Sequence, residues 1–125
     1  MVPSFLARYI GNMMLSSDLQ EKVSNLHFHD AGHGFDSFGL HPDFIALGAG
    51  ISRFPYEKYF RVRSFGHENI PNEGAAILAI NHSGVVPFDG MMVWYDVLRH
   101  STPTRVVRGI ADHFVPALPY IGTLF

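Results

Sequence analysis

The sequence predicts a mixed α/β fold, a sheet flanked by helices. Three observations carry that expectation: an apolar stripe of helical period at the N-terminus, a short apolar run from Ala75 to Ile80 between turn residues, and a second helical pattern from Met91 to Arg99 directly after it. At 125 residues the chain suits one domain rather than two. Apolar residues at 47% and charged residues at 16% allow a packed core and exclude a disordered chain. A net charge of −2 provides no broad basic surface, so nucleic acid is not an expected partner. The absence of cysteine excludes a disulfide framework, a thiolate nucleophile and a Cys-based zinc site.

Residues 4–23 read as helix. Phe5, Leu6, Tyr9, Ile10, Met13 and Met14 fall on one stripe, and the expected placement of such a stripe is against the core. Its aromatic and Met content also suits a membrane interface. From His29 to Gly50 five glycines (Gly32, Gly34, Gly39, Gly48 and Gly50) predict loop. Tyr56 to Phe65 alternates apolar and charged residues from Phe60 onward, as a half-buried strand does. Residues 68–74 form a turn around Pro71 and Gly74. Ala75 to Ile80 then reads as a strand buried on both faces. After the loop Asn81-His82-Ser83-Gly84, Pro87 and Asp89 are start signals for a helix over 91–99, with Trp94, Val97 and Leu98 on one side. Residues 105–110 suggest a further strand, and residues 114–125 are apolar and proline-containing. The longest apolar runs, residues 75–80 and 44–51, fall well short of the ~18–20 residues needed to cross a bilayer. Arg8 interrupts the N-terminal stripe before any cleavage site, so no signal peptide is read there. The expectation is a soluble or peripheral chain.

The strongest chemical signal is Asn81 to Gly90, NHSGVVPFDG. A histidine placed after a strand, on a glycine-containing loop leading to a helix, stands where α/β sheets position functional groups. A carboxylate seven positions on, at the helix start, can fold back onto the imidazole. It would fix the tautomer and stabilise the cation as the other nitrogen takes a proton. The spacing admits two readings: His82 and Asp89 form a catalytic pair, or they satisfy each other and cap the helix.

NHSGVVPFDG resembles the first motif of the lysophospholipid and glycerolphosphate acyltransferase superfamily, in which Asn-His opens a loop closed by Asp. The segments Asp36-Ser-Phe-Gly-Leu-His-Pro42, Tyr59-Phe-Arg-Val62 and Glu68-Asn-Ile-Pro71 resemble the run-in to that motif in bacterial branches. The resemblance covers residues 36–125. It implies a three-layer acyltransferase-like fold and transfer of a fatty acyl group from acyl-CoA or acyl-carrier protein to a lysophospholipid, glycerolphosphate-type or related lipid alcohol. By carry-over His82 is the general base and Asp89 its orienting partner, with no acyl-enzyme intermediate. Asn81, Ser83 and Gly84 are implied as substrate-binding residues of the loop. Six residues separate His82 from Asp89, where the commonest family pattern has four. The family's third, phosphate-binding motif does not occur in these residues. Residues 1–125 are therefore expected to be the C-terminally truncated, N-terminal part of one acyltransferase domain, with residues 1–35 as a helical and loop lead-in and 36–125 as the motif-bearing α/β part. The acyl-CoA or acyl-carrier protein is a co-substrate, and no cofactor is expected. The lipid acceptor implies peripheral association with a membrane, on its cytoplasmic face.

Arg105 and Arg108, with Arg99, are candidates for the phosphates of an anionic donor, because guanidinium matches phosphate geometry. Taken singly, each also reads as a solvated surface residue. His27, His29, His33 and His41 lack the regular offsets of a structural zinc site, so no metal is expected. His100 and His113 show no spacing signal. Trp94, Tyr95, Met91 and Met92 read as core, with an acyl-chain groove as the other use of such a face. A hydrolase built on Ser83 would need a nucleophile elbow, and no GxSxG is present. A non-catalytic lipid-binding relative is the third reading.

Overall fold

The computed structural model describes residues 3–26, 29–82 and 87–110. Among these residues four α-helices carry the fold: α1 Ser4–Met14, α2 Ser17–Ser24, α3 Pro42–Phe54 and α4 Phe88–His100. A single π-helical turn, Pro55–Tyr59, extends α3, and a short 3₁₀ turn covers His67–Asn69. The expected α/β sheet is not formed among the described residues. Among the described residues there is no strand ladder, only an isolated bridge between Gly32 and Phe35.

The correction has a separate physical reason at each segment. Residues 75–80 take no regular structure, no backbone hydrogen bond joins them to another described segment, and Ile77 is 90% exposed. A strand's side chains set its preference, whereas a ladder also requires a partner. Residues 105–110 likewise take no regular structure and join no ladder. In the expected strand 56–65, the first residues continue α3 as the π-helical turn, Arg61 then takes a left-handed backbone (φ +50°), and residues 61–65 form no strand.

Two helical expectations also change. The helix expected over 4–23 breaks at Leu15 and Ser16, where the chain turns back and Gln20 caps the carbonyls of Asn12 (2.8 Å) and Leu15 (3.2 Å). The loop expected up to Gly50 instead contains α3. His41 caps it, its Nδ1 accepting from the Asp43 backbone N–H at 3.1 Å, and Pro42 opens its first turn. Two of the five glycines that suggested loop, Gly48 and Gly50, are contact points in that helix. A Cβ on Gly50 would stand 3.0 Å from Met14 Cβ and 3.1 Å from the Gly11 carbonyl oxygen. Glycine therefore sits where two helix backbones nearly touch.

The N-terminal stripe faces the opposite way from expectation. α1 buries Ala7 and Gly11, while Phe5, Tyr9 and Met13 are 73%, 65% and 73% exposed. Small residues permit closer approach to α3 than a bulky row would, so the helix rolls its aromatic and Met side outward.

The core lies between α2, α3 and α4, built from Leu15, Leu19, Val23, Ile45, Ala49, Tyr56, Met92, Tyr95 and Leu98. Met92 and Tyr95 thus take the core role expected of them, and Tyr95 tilts against Tyr56 at 4.9 Å. Around this core polar groups tie the 53–67 stretch to α4. Glu57 accepts from Arg99 (2.8 Å) and Arg53 (3.2 Å). Asp96 accepts from the Tyr56 hydroxyl and, at 2.7 Å, from Ser64 Oγ.

Burial and the Asp96 carboxylate push the Tyr56 hydroxyl well above its ordinary pKa of 10.0. A raised folded-state pKa contributes stability that is present below the unfolded value and lost as pH rises past it. Tyr56→Phe should cost about 1–2 kcal/mol at neutral pH. It should also flatten the fall in stability above pH of about 10. Urea unfolding of both proteins at pH 7 and 10.5 measures this.

Candidate functional site

The site forms at the start of α4. Pro87 precedes the helix and Phe88 opens it, which places Asp89 in the first turn, where a carboxylate complements the helix dipole. Its Oδ1 accepts from the Gly90 backbone N–H at 2.8 Å. The imidazole of His82 comes to the same group, with Nδ1 at 2.8 Å from Oδ1 and 3.0 Å from Oδ2. A carboxylate only accepts, so Nδ1 carries the hydrogen and donates it. Nε2 is then left as the ring's basic atom. Both side chains are partly exposed, His82 at 48% and Asp89 at 33%. The seven-residue spacing thus closes into a pair, and the carboxylate is held by its own helix.

The other site residues expected from sequence fall elsewhere. Asn81 is exposed beside His82. Ser83 and Gly84 lie outside the described residues, as do His27 and His113. Arg105 donates to the carbonyls of Pro71 and, at 2.6 Å, Gly74, which holds the 71–74 turn. Arg108 pairs with Asp36 and covers the Phe38 ring at 5.4 Å. These two arginines line a surface cleft of about 430 Å³ with His29, Asp36, Leu40 and Ile45, and neither His82 nor Asp89 borders it. Hydrogen bonds from the Leu40 and Phe38 backbones, joined by Arg108, hold the Asp36 carboxyl below its ordinary value against the opposing effect of burial. Arg99 is engaged with Glu57 rather than offered to a ligand.

The described histidines of this region do not share one role, and His29 borders the cleft just described. His41 caps α3 with its ring edge-on to Phe35 and Phe44. Among the described residues no three His, Asp or Glu side chains gather in a geometry that could hold an ion.

Sequence reasoning missed a second histidine–carboxylate pair. His100 Nδ1 lies 3.1 Å from Asp96 Oδ1, and the His67 ring stacks on His100 at 4.8 Å. The i,i+4 spacing of Asp96 and His100 on one helix was the available signal. Asp96 also accepts from Tyr56 and Ser64, so this pair belongs to the clasp between α4 and the 56–67 stretch.

No protein-family model matches the chain, and no solved structure matches it. The chain is similar to uncharacterized proteins of Mycobacterium tuberculosis and Mycobacterium bovis, each 41% identical over 91 residues, covering 72% of this chain and 25% of the relative. An uncharacterized protein of Mycobacterium leprae is 38% identical over 88 residues, covering 70% of this chain and 24% of its own. The chain therefore spans about a quarter of the length of the curated relatives it matches.

Proposed function

We propose that the chain carries the base-bearing part of an O-acyltransferase that moves a fatty acyl group from acyl-CoA or acyl-carrier protein to a lipid alcohol, such as a lysophospholipid or a glycerolphosphate-type acceptor. The observation that carries the reading is the His82–Asp89 pair, 2.8 Å apart within the NHSGVVPFDG segment. It is supported by the resemblance of that segment to the first acyltransferase motif.

In the proposed reaction His82 Nε2 removes the proton from the acceptor hydroxyl as its oxygen attacks the thioester carbonyl. Asp89 holds the ring through Nδ1–H and stabilises the imidazolium. The tetrahedral intermediate collapses, the carbon–sulfur bond breaks and the new ester forms. The imidazolium then returns its proton to the departing thiolate, so the products are ester and free thiol. Two side chains that remain partly open to solvent suit an acceptor that must come and go. The lipid acceptor places the protein at the periphery of a membrane, on its cytoplasmic face.

Incubating the full-length protein with acyl-CoA, with and without lysophospholipid, tests the reading through thiol release and product mass. Thiol release that requires the lipid and yields a diacyl product is expected. Steady release to water alone overturns it in favour of a hydrolase.

A further inference from the structure

We propose that the outer face of α1 and α3, with the cationic aromatic stretch that follows α3, docks on a membrane surface bearing anionic headgroups. It extends the acyl-transfer reading by naming where the lipid layer sits, and the surface is defined by its exposure and charge.

α1 and α3 run side by side in the same direction, since Arg8 reaches Asp43, Gly11 abuts Ala46 and Met14 abuts Gly50. Phe5, Tyr9 and Met13 form the outermost row of α1, one turn apart. Leu6, Ile10 and Met14 form the adjacent row, and Met14 brings that row to α3. Ile51 and Phe54 continue the exposed apolar surface along α3, with Phe54 at 64% exposure. An apolar surface of two helices, contiguous and outward-facing, marks an interaction site in a folded chain.

Charge selects the occupant. α1 contains no carboxylate, and its single charged residue is Arg8. The carboxylates nearest this surface are already neutralised, Asp43 by Arg8 and Glu57 by Arg53 and Arg99. Beyond Phe54 the chain presents exposed Lys58, Arg61 and Arg63 interleaved with Tyr59, Phe60 and Phe65. Amphipathic rings beside cations fit the headgroup layer of an anionic bilayer. At eleven residues α1 is about 16 Å long. No helix among the described residues is long and apolar enough to cross a membrane. The geometry is that of helices lying in the interface.

The surface is continuous with the candidate site. The Tyr59 ring meets Phe60 at 4.8 Å, Phe60 meets Phe88 at 5.7 Å, and Phe88 immediately precedes Asp89. This aromatic ladder leads from the docking face to the His82–Asp89 pair.

Flotation of the full chain with phosphatidylcholine vesicles, with and without one-third phosphatidylglycerol, tests the proposal. Binding to the anionic vesicles that weakens in high salt is expected. Phe5→Ser/Tyr9→Ser/Met13→Ser should reduce the bound fraction at least tenfold while the circular dichroism spectrum is unchanged, because all three side chains are exposed. Lys58→Glu/Arg63→Glu should remove the preference for anionic lipid, and His82→Ala should bind as the parent does. No binding by the parent, or equal binding by the triple variant, overturns the proposal. So does a dimer in sedimentation velocity that the triple variant dissociates, since a second copy would then cover the face. Vesicle binding without acyl transfer would overturn the enzymatic reading and leave this one standing. Acyl transfer to a soluble acceptor without vesicle binding would do the reverse.

Discussion

His82→Ala in the full-length protein is expected to lower kcat/KM for acyl transfer by about 10³-fold, the midrange for loss of a general base. That corresponds to about 4 kcal/mol of transition-state stabilisation. The fold should persist, because the His82 side chain is nearly half exposed and its polar contact is the Asp89 carboxylate. A stability change within about 0.5 kcal/mol is expected for such a surface position. Asp89→Asn should cost less, on the order of 10²-fold, because the basic ring remains while the carboxylate charge that stabilises the imidazolium is lost. The two variants together should lose little more than His82→Ala alone, as groups acting in one unit do. Thiol release and unfolding curves on the same preparations decide the matter. Full activity in His82→Ala would end the acyl-transfer reading, whereas equal losses of activity and stability would make the pair a helix cap.

Gly11→Ala is expected to destabilise the chain by about 2–3 kcal/mol, at the upper end for overpacking. Helix propensity alone argues for the opposite sign, since alanine is favoured over glycine by about 1 kcal/mol in a helix interior. Packing wins because the new Cβ would stand 2.4 Å from the Ala46 carbonyl carbon and 2.6 Å from the Leu47 nitrogen. Those are backbone atoms, so relief requires α1 to move off α3 rather than a side chain to rotate. Gly90→Ala is the contrasting case. Its nearest neighbour would be Pro87 Cβ at 3.9 Å, and a gain of a few tenths of a kcal/mol is expected from propensity. Urea unfolding measures both. A stabilised Gly11→Ala would show that α1 does not seat against α3 through this residue.

The local chemistry of the candidate site was legible from the sequence. A histidine and an aspartate seven positions apart, with Pro87 just before the carboxylate, mark a loop that can fold back at a helix start. The structure adds the 2.8 Å contact and the partial exposure of both groups. Arg105 and Arg108 show the limit of residue type as evidence. Guanidinium suits a phosphate, but it equally suits the Pro71 and Gly74 carbonyls and the Asp36 carboxylate, which are its partners here. Asp96 and His100 show a signal present but unread, because an i,i+4 pair within a helix resembles ordinary surface pairing until Tyr56 and Ser64 are seen to converge on it.

Sequence alone determined which residues are apolar and the helical period of the N-terminus and of α4, because those depend on spacing along one chain. It foresaw the amphipathic N-terminus and the α4 helix with its start near Pro87. Only the tertiary structure decided which way α1 faces, because that is settled by how closely Ala7 and Gly11 let two backbones approach, not by the apolar stripe itself. Likewise residues 75–80 have strand composition, yet a ladder among the described residues needs a neighbour that their own side chains cannot supply. Glycines 48 and 50 read as loop until α1 and Trp94 are seen packed against them. Periodicity is a property of one segment, while orientation and pairing are properties of two.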